Sequence, residues 1–172
     1  RRARAHLRRR CFPRIQPALR SLLASFEGLG IRESGALIVV LTMGCFDPLH
    51  IGHVKHLKAA KKLGDWLIVG LTADVYVRKG PGRPAFPETE REEMLRELRC
   101  VDDVAIVRDT CEAIMTIRPD YYVKGKEYVG KLPEQSLVES FGGKVVFTDE
   151  RVYSSTALLS GRYLKVPSAV GG

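Results

Sequence analysis

The stretch Ala36–His53, ALIVVLTMGCFDPLHIGH, decides the fold of this chain. Its opening, Ala36–Met43, is a near-continuous apolar run of strand length. A strand that is apolar on both sides of its pleat is covered on both faces, as in a parallel sheet layered with helices. Gly44–His53 breaks that run, with Pro48 and Gly52 as punctuation where strand gives way to helix. Ile51–Leu63 follows as a predicted helix, ended by Gly64.

Working outward, the alternation repeats. Trp66–Thr72 (WLIVGLT), Asp103–Val107 (DVAIV), Asp120–Lys124 (DYYVK) and Lys144–Phe147 (KVVF) are predicted strands. Pro87–Leu98, Thr110–Ile117, Leu132–Phe141 and Ser154–Tyr163 are predicted helices. Pro87 suits a first helical turn, and Glu88, Glu90, Glu92 and Glu93 complement the positive end of that helix. Five apolar strands alternating with helices predict a single doubly wound α/β domain over residues 35–165, built on a five-stranded parallel sheet. Right-handed crossovers then place ligands at the carboxyl ends of the strands. Residues 166–172 are left as a tail. Residues 1–34 form a basic segment or linker, in which Leu19, Leu22, Leu23 and Phe26 suggest a short amphipathic helix over Pro17–Phe26.

The 172 residues carry a formal net charge of +8, from 28 Lys and Arg against 20 Asp and Glu. Eight arginines fall within residues 1–20, with no acid beside them, so the rest is formally neutral. A nucleic-acid-binding fold carries its basic excess on the folded surface; no nucleic-acid partner is expected here. The arginine-rich segment reads either as a transit-like leader or as a linker or surface helix of a longer protein, and without Met at position 1 a fragment or processed chain is expected. No apolar run reaches the roughly 18–20 residues needed to span a bilayer, so no membrane partner is expected. Cys11, Cys45, Cys100 and Cys111 form no C-x-x-C pair, which fits free thiols and a cytoplasmic setting.

The chemistry concentrates in Gly44–His53. His50 and His53 are three apart at a predicted helix start, so both rings can face one point. The unpaired N–H groups and the dipole there already favour an anion. Two imidazoles donating into that spot make a phosphate clamp, and Gly52 keeps it uncrowded. Asp47 is suited to a magnesium ion or a ligand hydroxyl. The same histidines also suit plain helix capping, whereas zinc lacks the further ligands it needs, because His6 and His56 are poorly placed. Lys79 and Arg83 lie in a loop stiffened by Gly80, Pro81, Gly82 and Pro84. Ser154, Ser155 and Thr156 open the last predicted helix and serve either as a cap or as a second anion site. Gly125–Leu132 nearly matches a P-loop, but Leu132 has no hydroxyl for magnesium.

Together these segments resemble the H-x-G-H nucleotidyltransferase superfamily, which includes cytidylyltransferases and pantetheine-phosphate adenylyltransferase. The runs Lys61–Val69, Lys79–Pro84, Arg99–Asp102, Val123–Gly125 and Tyr153–Thr156 look most like the branch containing the ADP-heptose synthase nucleotidyltransferase domain, and the resemblance covers most of residues 35–165. It implies a Rossmann-like sheet and a reaction in which a substrate phosphate attacks the α-phosphate of a nucleoside triphosphate, releasing pyrophosphate. It implies catalytic roles for His50, His53 and Lys79. Gly44, Cys45, Phe46, Asp47, Gly52, Lys124, Gly125, Ser154, Ser155 and Thr156 are implied as nucleotide-binding, with Lys124–Gly125 near the base. Arg83 and Arg91 are implied as acceptor or phosphate ligands, although Arg91 is also spaced to pair with Glu88. Magnesium is implied with the triphosphate, with no metal held by the protein itself. ATP and CTP are both admitted; a sugar 1-phosphate acceptor with ATP is favoured over a CTP-dependent enzyme of the glycerol-3-phosphate type or a non-catalytic nucleotide-binding module. A fused or partner sugar kinase and a homodimer are further implications. Two departures stand out: Lys126-Glu127-Tyr128 where that branch has Gly-Asp-Tyr, and Pro48 where it often has Leu or Ile.

Overall fold

Nine regular elements follow one another in the computed structural model, which describes residues 37–149 together with Ser155 and Leu159. They are β1 (Val39–Gly44), α1 (Ile51–Lys61), β2 (Trp66–Thr72), α2 (Glu88–Arg96), β3 (Asp103–Val107), α3 (Thr110–Ile117), β4 (Tyr121–Gly125), α4 (Gln135–Ser140) and β5 (Lys144–Thr148). Single 3-10 turns at Asp74–Tyr76 and Lys126–Tyr128 follow β2 and β4. Ser155 and Leu159 are helical, as the expected last helix requires. The arginine segment, the helix expected over residues 17–26, Ser154, Thr156 and the tail lie outside the described residues.

All strand pairs are parallel, in the order β3-β2-β1-β4-β5. The expected five-stranded Rossmann-like sheet is therefore present. Because β1 pairs with both β2 and β4, the chain winds outward from β1 in one direction and then crosses back to wind in the other. The crevice at that reversal, above the carboxyl end of β1, is where such sheets hold ligands.

The pleat divides the core in two. Val39, Leu41 and Met43 face one side with Ile68, Tyr122, the α3 residues Ala113, Ile114 and Ile117, and Val138 of α4. Val40 faces the other side with Leu67, Val69, Leu71 and Val123, against Leu57 and Ala60 of α1 and Leu95 of α2. Alternation of apolar residues with no polar face is what both layers require. A Cβ on Gly70 would lie 1.9 Å from Met43 Sδ, so the glycine in β2 leaves the room that Met43 fills.

At the amino edge of the sheet, carboxylates take the place of ladder partners. The N–H groups of Ile38, Val39 and Leu67 donate to Asp65 (2.8 Å), Asp120 (2.9 Å) and Asp102 (2.6 Å). β1 begins at Val39, later than the apolar run predicts: Leu37 and Ile38 are exposed and precede the strand. The predicted Leu132 start of α4 is likewise late in the structure, at Gln135.

Leu41 is fully buried in the central strand. Leu41→Ala should lower the unfolding free energy by about 2–5 kcal/mol. Urea titration should show this as a lower midpoint with an unchanged slope.

Candidate active site

The turn after β1 bends sharply. Phe46 adopts a left-handed backbone (φ 49°), an unfavourable conformation for a bulky residue, and its ring folds back beneath Gly44. There it meets His53 edge-on, with ring centroids 4.9 Å apart. His50 caps α1, its Nδ1 accepting from the His53 N–H at 3.3 Å. The capping and clamp readings of His50 thus coexist: with Nδ1 used as the acceptor, the neutral imidazole carries its proton on Nε2. The two rings stack 3.7 Å apart at an interplanar angle of 13°. His53 Nδ1 is buried with no hydrogen-bond partner among the described residues.

Both imidazoles are held neutral. Burial, together with the charges of His50, Lys79 and His56, brings His53 down to about 3. Burial also lowers His50, helped by Lys79 and opposed by a backbone hydrogen bond. The exposed Lys79 therefore projects its charge onto both rings.

These groups line a cavity of about 340 Å³ above Gly44. His50, Gly52, His53 and His56 form one flank, with Thr72 and Lys79 nearby. Cys45, Thr110, Lys124, Gly125, Glu127 and Tyr128 form the other. The structure therefore gathers Gly44, Cys45, Phe46, His50, Gly52, His53, Lys79, Lys124 and Gly125 around one space. Ser155 is buried, its Oγ donating to the Pro48 carbonyl at 3.2 Å, which ties it to the turn that leads into α1.

Three expected ligands are placed elsewhere, each for the same reason: its charge is already matched inside the protein. Asp47 is fully buried, accepting from Arg83 Nε at 2.5 Å and from the N–H groups of Ala85 (2.9 Å) and Phe86 (3.1 Å). Burial alone raises its carboxyl, but these donors together hold it below the usual carboxylate range. Neither oxygen faces the cavity as a magnesium ligand would. Arg83, also donating to the Asp47 carbonyl, fastens the loop bearing Lys79 to the β1 turn and does not reach for an acceptor. Arg91 has no solvent exposure and donates to the carbonyls of Phe86 (3.0 Å), Cys45 (2.6 Å) and Thr72 (3.0 Å) and to Asp74 (2.5 Å). It pairs with Asp74 and not with Glu88, because Glu88 exchanges hydrogen bonds with Asp74 instead.

Sequence reasoning missed Thr72, Thr110, Thr148 and His56 as cavity residues; Glu127 and Tyr128, singled out in the sequence only as a departure in the loop after β4, line the cavity too. Thr72 and Thr148 end their strands, and that position was the available signal. His56 falls three residues after His53, on the same face of α1. It lines the cavity while bridging Thr42 Oγ1 and Thr148 Oγ1, each at 2.8 Å.

A depressed histidine makes stability acid-sensitive. His53 takes its proton near 6.5 when unfolded but only near 3 when folded, so the unfolded chain binds more protons between those values. Its contribution is complete above about pH 6.5 and is lost as pH falls toward 3. Thermal melts of ligand-free His53→Gln from pH 7 to 4 should show a shallower acid slope than the wild type.

A profile of the cytidylyltransferase-like family matches residues 41–159. The bifunctional protein HldE of Syntrophotalea carbinolica is 43% identical over 141 residues, 79% of this chain and 28% of that protein. HldE of Streptomyces coelicolor is 48% identical over 130 residues, 71% of this chain and again 28% of that protein. The chain thus spans little more than a quarter of the length of these curated relatives. The crystal structure of the lipopolysaccharide core biosynthesis protein from Thermoplasma volcanium superposes with a TM-score of 0.59 at 32% identity, covering 68% of this chain and 100% of that one. A bifunctional NMN adenylyltransferase/ADP ribose pyrophosphatase from Francisella tularensis shares the fold, with a TM-score of 0.52 at 13% identity over 74% of this chain and 42% of that one. With the family profile spanning most of the described domain and the histidine turn at its centre, the chain belongs to the cytidylyltransferase-like family.

Proposed function

We propose that the domain transfers a nucleoside monophosphate from ATP to a sugar 1-phosphate, releasing pyrophosphate, in the manner of an ADP-heptose synthase. The observation that carries this reading is the stacked, neutral His50–His53 pair at the head of α1, facing a cavity with Lys79 at its rim. A triphosphate laid there meets the N–H groups of the first helical turn, two imidazoles and an ammonium.

The reaction needs no protein nucleophile. An anionic oxygen of the acceptor phosphate attacks the α-phosphorus, the bond from that phosphorus to the oxygen bridging toward the β-phosphate breaks, and the electron pair leaves with pyrophosphate. The attacking oxygen is already ionised, so no proton has to be removed. Catalysis then rests on positioning and on stabilising charge at the five-coordinate phosphorus. In this reading His50 donates from Nε2, His53 turns toward the same oxygens, and Lys79 follows charge onto the departing pyrophosphate. Ser154 and Thr156 are proposed to complete the triphosphate seat beside Ser155. Among the described residues no three His, Cys, Asp or Glu gather to hold a metal, and Asp47 is saturated. Magnesium belongs to this scheme as the counterion of the triphosphate, where it neutralises phosphate charge.

Relatives described as bifunctional, of which this chain spans 28%, support reading the domain as one of two activities. A sugar kinase, fused or separate, is the proposed source of the acceptor, and a homodimer in the cytoplasm is the proposed setting. No helix among the described residues is long and apolar enough to cross a membrane.

Pyrophosphate release should appear with ATP and D-glycero-β-D-manno-heptose 1-phosphate, and weakly or not at all with CTP and glycerol 3-phosphate. Nucleotide binding with no turnover on any sugar or polyol phosphate, in the full-length protein, would sink the enzymatic reading. His53→Ala should lower kcat by roughly 100- to 1,000-fold while circular dichroism stays native.

A further inference from the structure

His53 lacks the tie that a working imidazole ordinarily has. A histidine that acts through one ring nitrogen is usually oriented by a hydrogen bond at the other. His53 Nδ1 is buried with no such partner among the described residues. Its ring is bounded instead by other rings, His50 stacked at 3.7 Å and Phe46 edge-on at 4.9 Å. Stacking limits the tilt of a ring more than its sliding within its own plane.

The placement of His53 is then only as good as the placement of α1. Leu57 and Ala60 bury that helix on the sheet with Val40, Leu67, Val69 and Val123. Apolar burial is non-directional, so these contacts set the height of the helix above the strands better than its rotation or its register. A catalytic group needs tighter placement, within about half an ångström and about 10–20°.

A directional contact is present on the same face of the helix. Thr42 is a fully buried hydroxyl in the middle of β1, in an otherwise apolar stretch of that strand. Strand alternation puts it on the Val40 side, beneath α1. His56 Nε2 lies 2.8 Å from its Oγ1, and His56 Nδ1 lies 2.8 Å from Oγ1 of Thr148 at the end of β5. In the sheet, β4 separates those two strands. One ring anchored on two strands that are not neighbours fixes both the rotation and the register of the helix that carries it.

His56 follows His53 by three positions, so the two side chains share a face and any turn of α1 moves both. His56 also lines the cavity, but both of its ring nitrogens are engaged with the sheet and neither is offered to a phosphate. Thr42 is not among the residues lining the cavity. Its route to the chemistry runs through His56.

We infer that His56 is a positioning residue: by tying α1 to β1 and β5 through the Thr42 and Thr148 hydroxyls, it sets where the His53 ring stands in the cavity wall. This rests on the transfer reading above, and it names what aims the imidazole on which that reading depends.

The test separates shape, hydrogen bonding and charge at one position. His56→Phe keeps a flat ring and removes both hydrogen bonds. Its kcat should fall by about 10- to 100-fold, the cost of a misplacement of about 1 Å, while the Kd for α,β-methylene-ATP stays within about threefold of wild type. His56→Gln is uncharged but both donates and accepts, and it should recover most of that loss. Thr42→Val removes one anchor from outside the cavity and should lower kcat in the same way, so it carries the test if His56→Phe does not fold. In the double variant Thr42→Val, His56→Phe the buried hydroxyl and its partner are both gone. Its urea midpoint should return toward wild type, while its kcat stays as low as that of His56→Phe alone. A role in stability alone would restore the two together. The assignment is overturned by a His56→Phe kcat within about threefold of wild type, by His56→Gln as slow as His56→Phe, or by a double variant that regains kcat with its stability. Nitrogen NMR of the imidazoles in the ligand-free protein gives a readout that needs no turnover. The His53 ring signals should shift in His56→Phe and return in His56→Gln; signals that do not move in His56→Phe overturn the inference. If they move as expected while the wild type turns over no sugar phosphate, the transfer reading fails and the positioning of His53 stands.

Discussion

The Arg91 guanidinium, wholly out of solvent, reaches from α2 to the carbonyls of Cys45, Thr72 and Phe86 and to the Asp74 carboxylate. Those groups lie on the turn after β1, the end of β2, the loop before α2 and the 3-10 turn after β2. One planar fork thus holds the segments that shape the carboxyl edge of the sheet. A lysine has neither the rigid geometry nor enough spread of donors to serve four acceptors in different directions. Loss of the fork would leave buried carbonyls and a carboxylate unmatched, the costly half of the hydrogen-bond balance. Around this tie the second pair, Arg83 with Asp47, anchors the far end of the loop that carries Lys79.

These two arginines explain a division of labour among the charges. Those fixed to one another shape the loops, while Lys79 is left at the rim of the cavity. The histidines belong to neither class, being neutral when the site holds no ligand. A polyanion arriving beside them favours their charged forms and raises their proton affinity. Nucleotide binding and proton uptake are therefore expected to be linked, with the site gaining positive charge only as the anion supplies the reason for it.

Much of this was legible in the sequence, because the strands are apolar on both faces and the helices are closed by Gly, Pro and Asp. Trp66–Thr72, Asp103–Val107 and Thr110–Ile117 have the bounds that their patterns predict. The family resemblance and the histidine turn were legible for a similar reason: Gly44–His53 is a dense local signal. Tertiary pairing was not. Asp47, Arg83 and Arg91 carry the residue types of a phosphate site, and only the folded chain shows that they are already matched, by partners as far as 46 positions away. Ile38, counted into the strand on its apolar type, stands just before β1, half-open and with its N–H held by an aspartate from beyond α1. Thr110 and Thr148 were invisible because each is an ordinary residue until separate strand ends converge, whereas Tyr128 was noted only as part of a departure from the family pattern.

His56 makes a strut across that convergence. With Thr148 Oγ1 donating to the Lys124 carbonyl (3.4 Å), the consistent proton arrangement runs from the Thr42 hydroxyl to His56 Nε2 and from His56 Nδ1–H to Thr148. The strut joins the helix that bears the clamp to the backbone of the residue on the opposite flank. A shift of α1 on one side of Gly44 would load this chain of hydrogen bonds on the other. Whatever sign that communication takes, thermodynamic linkage makes it symmetric: an occupant that tightens the far half by some factor has its own grip tightened by the same factor.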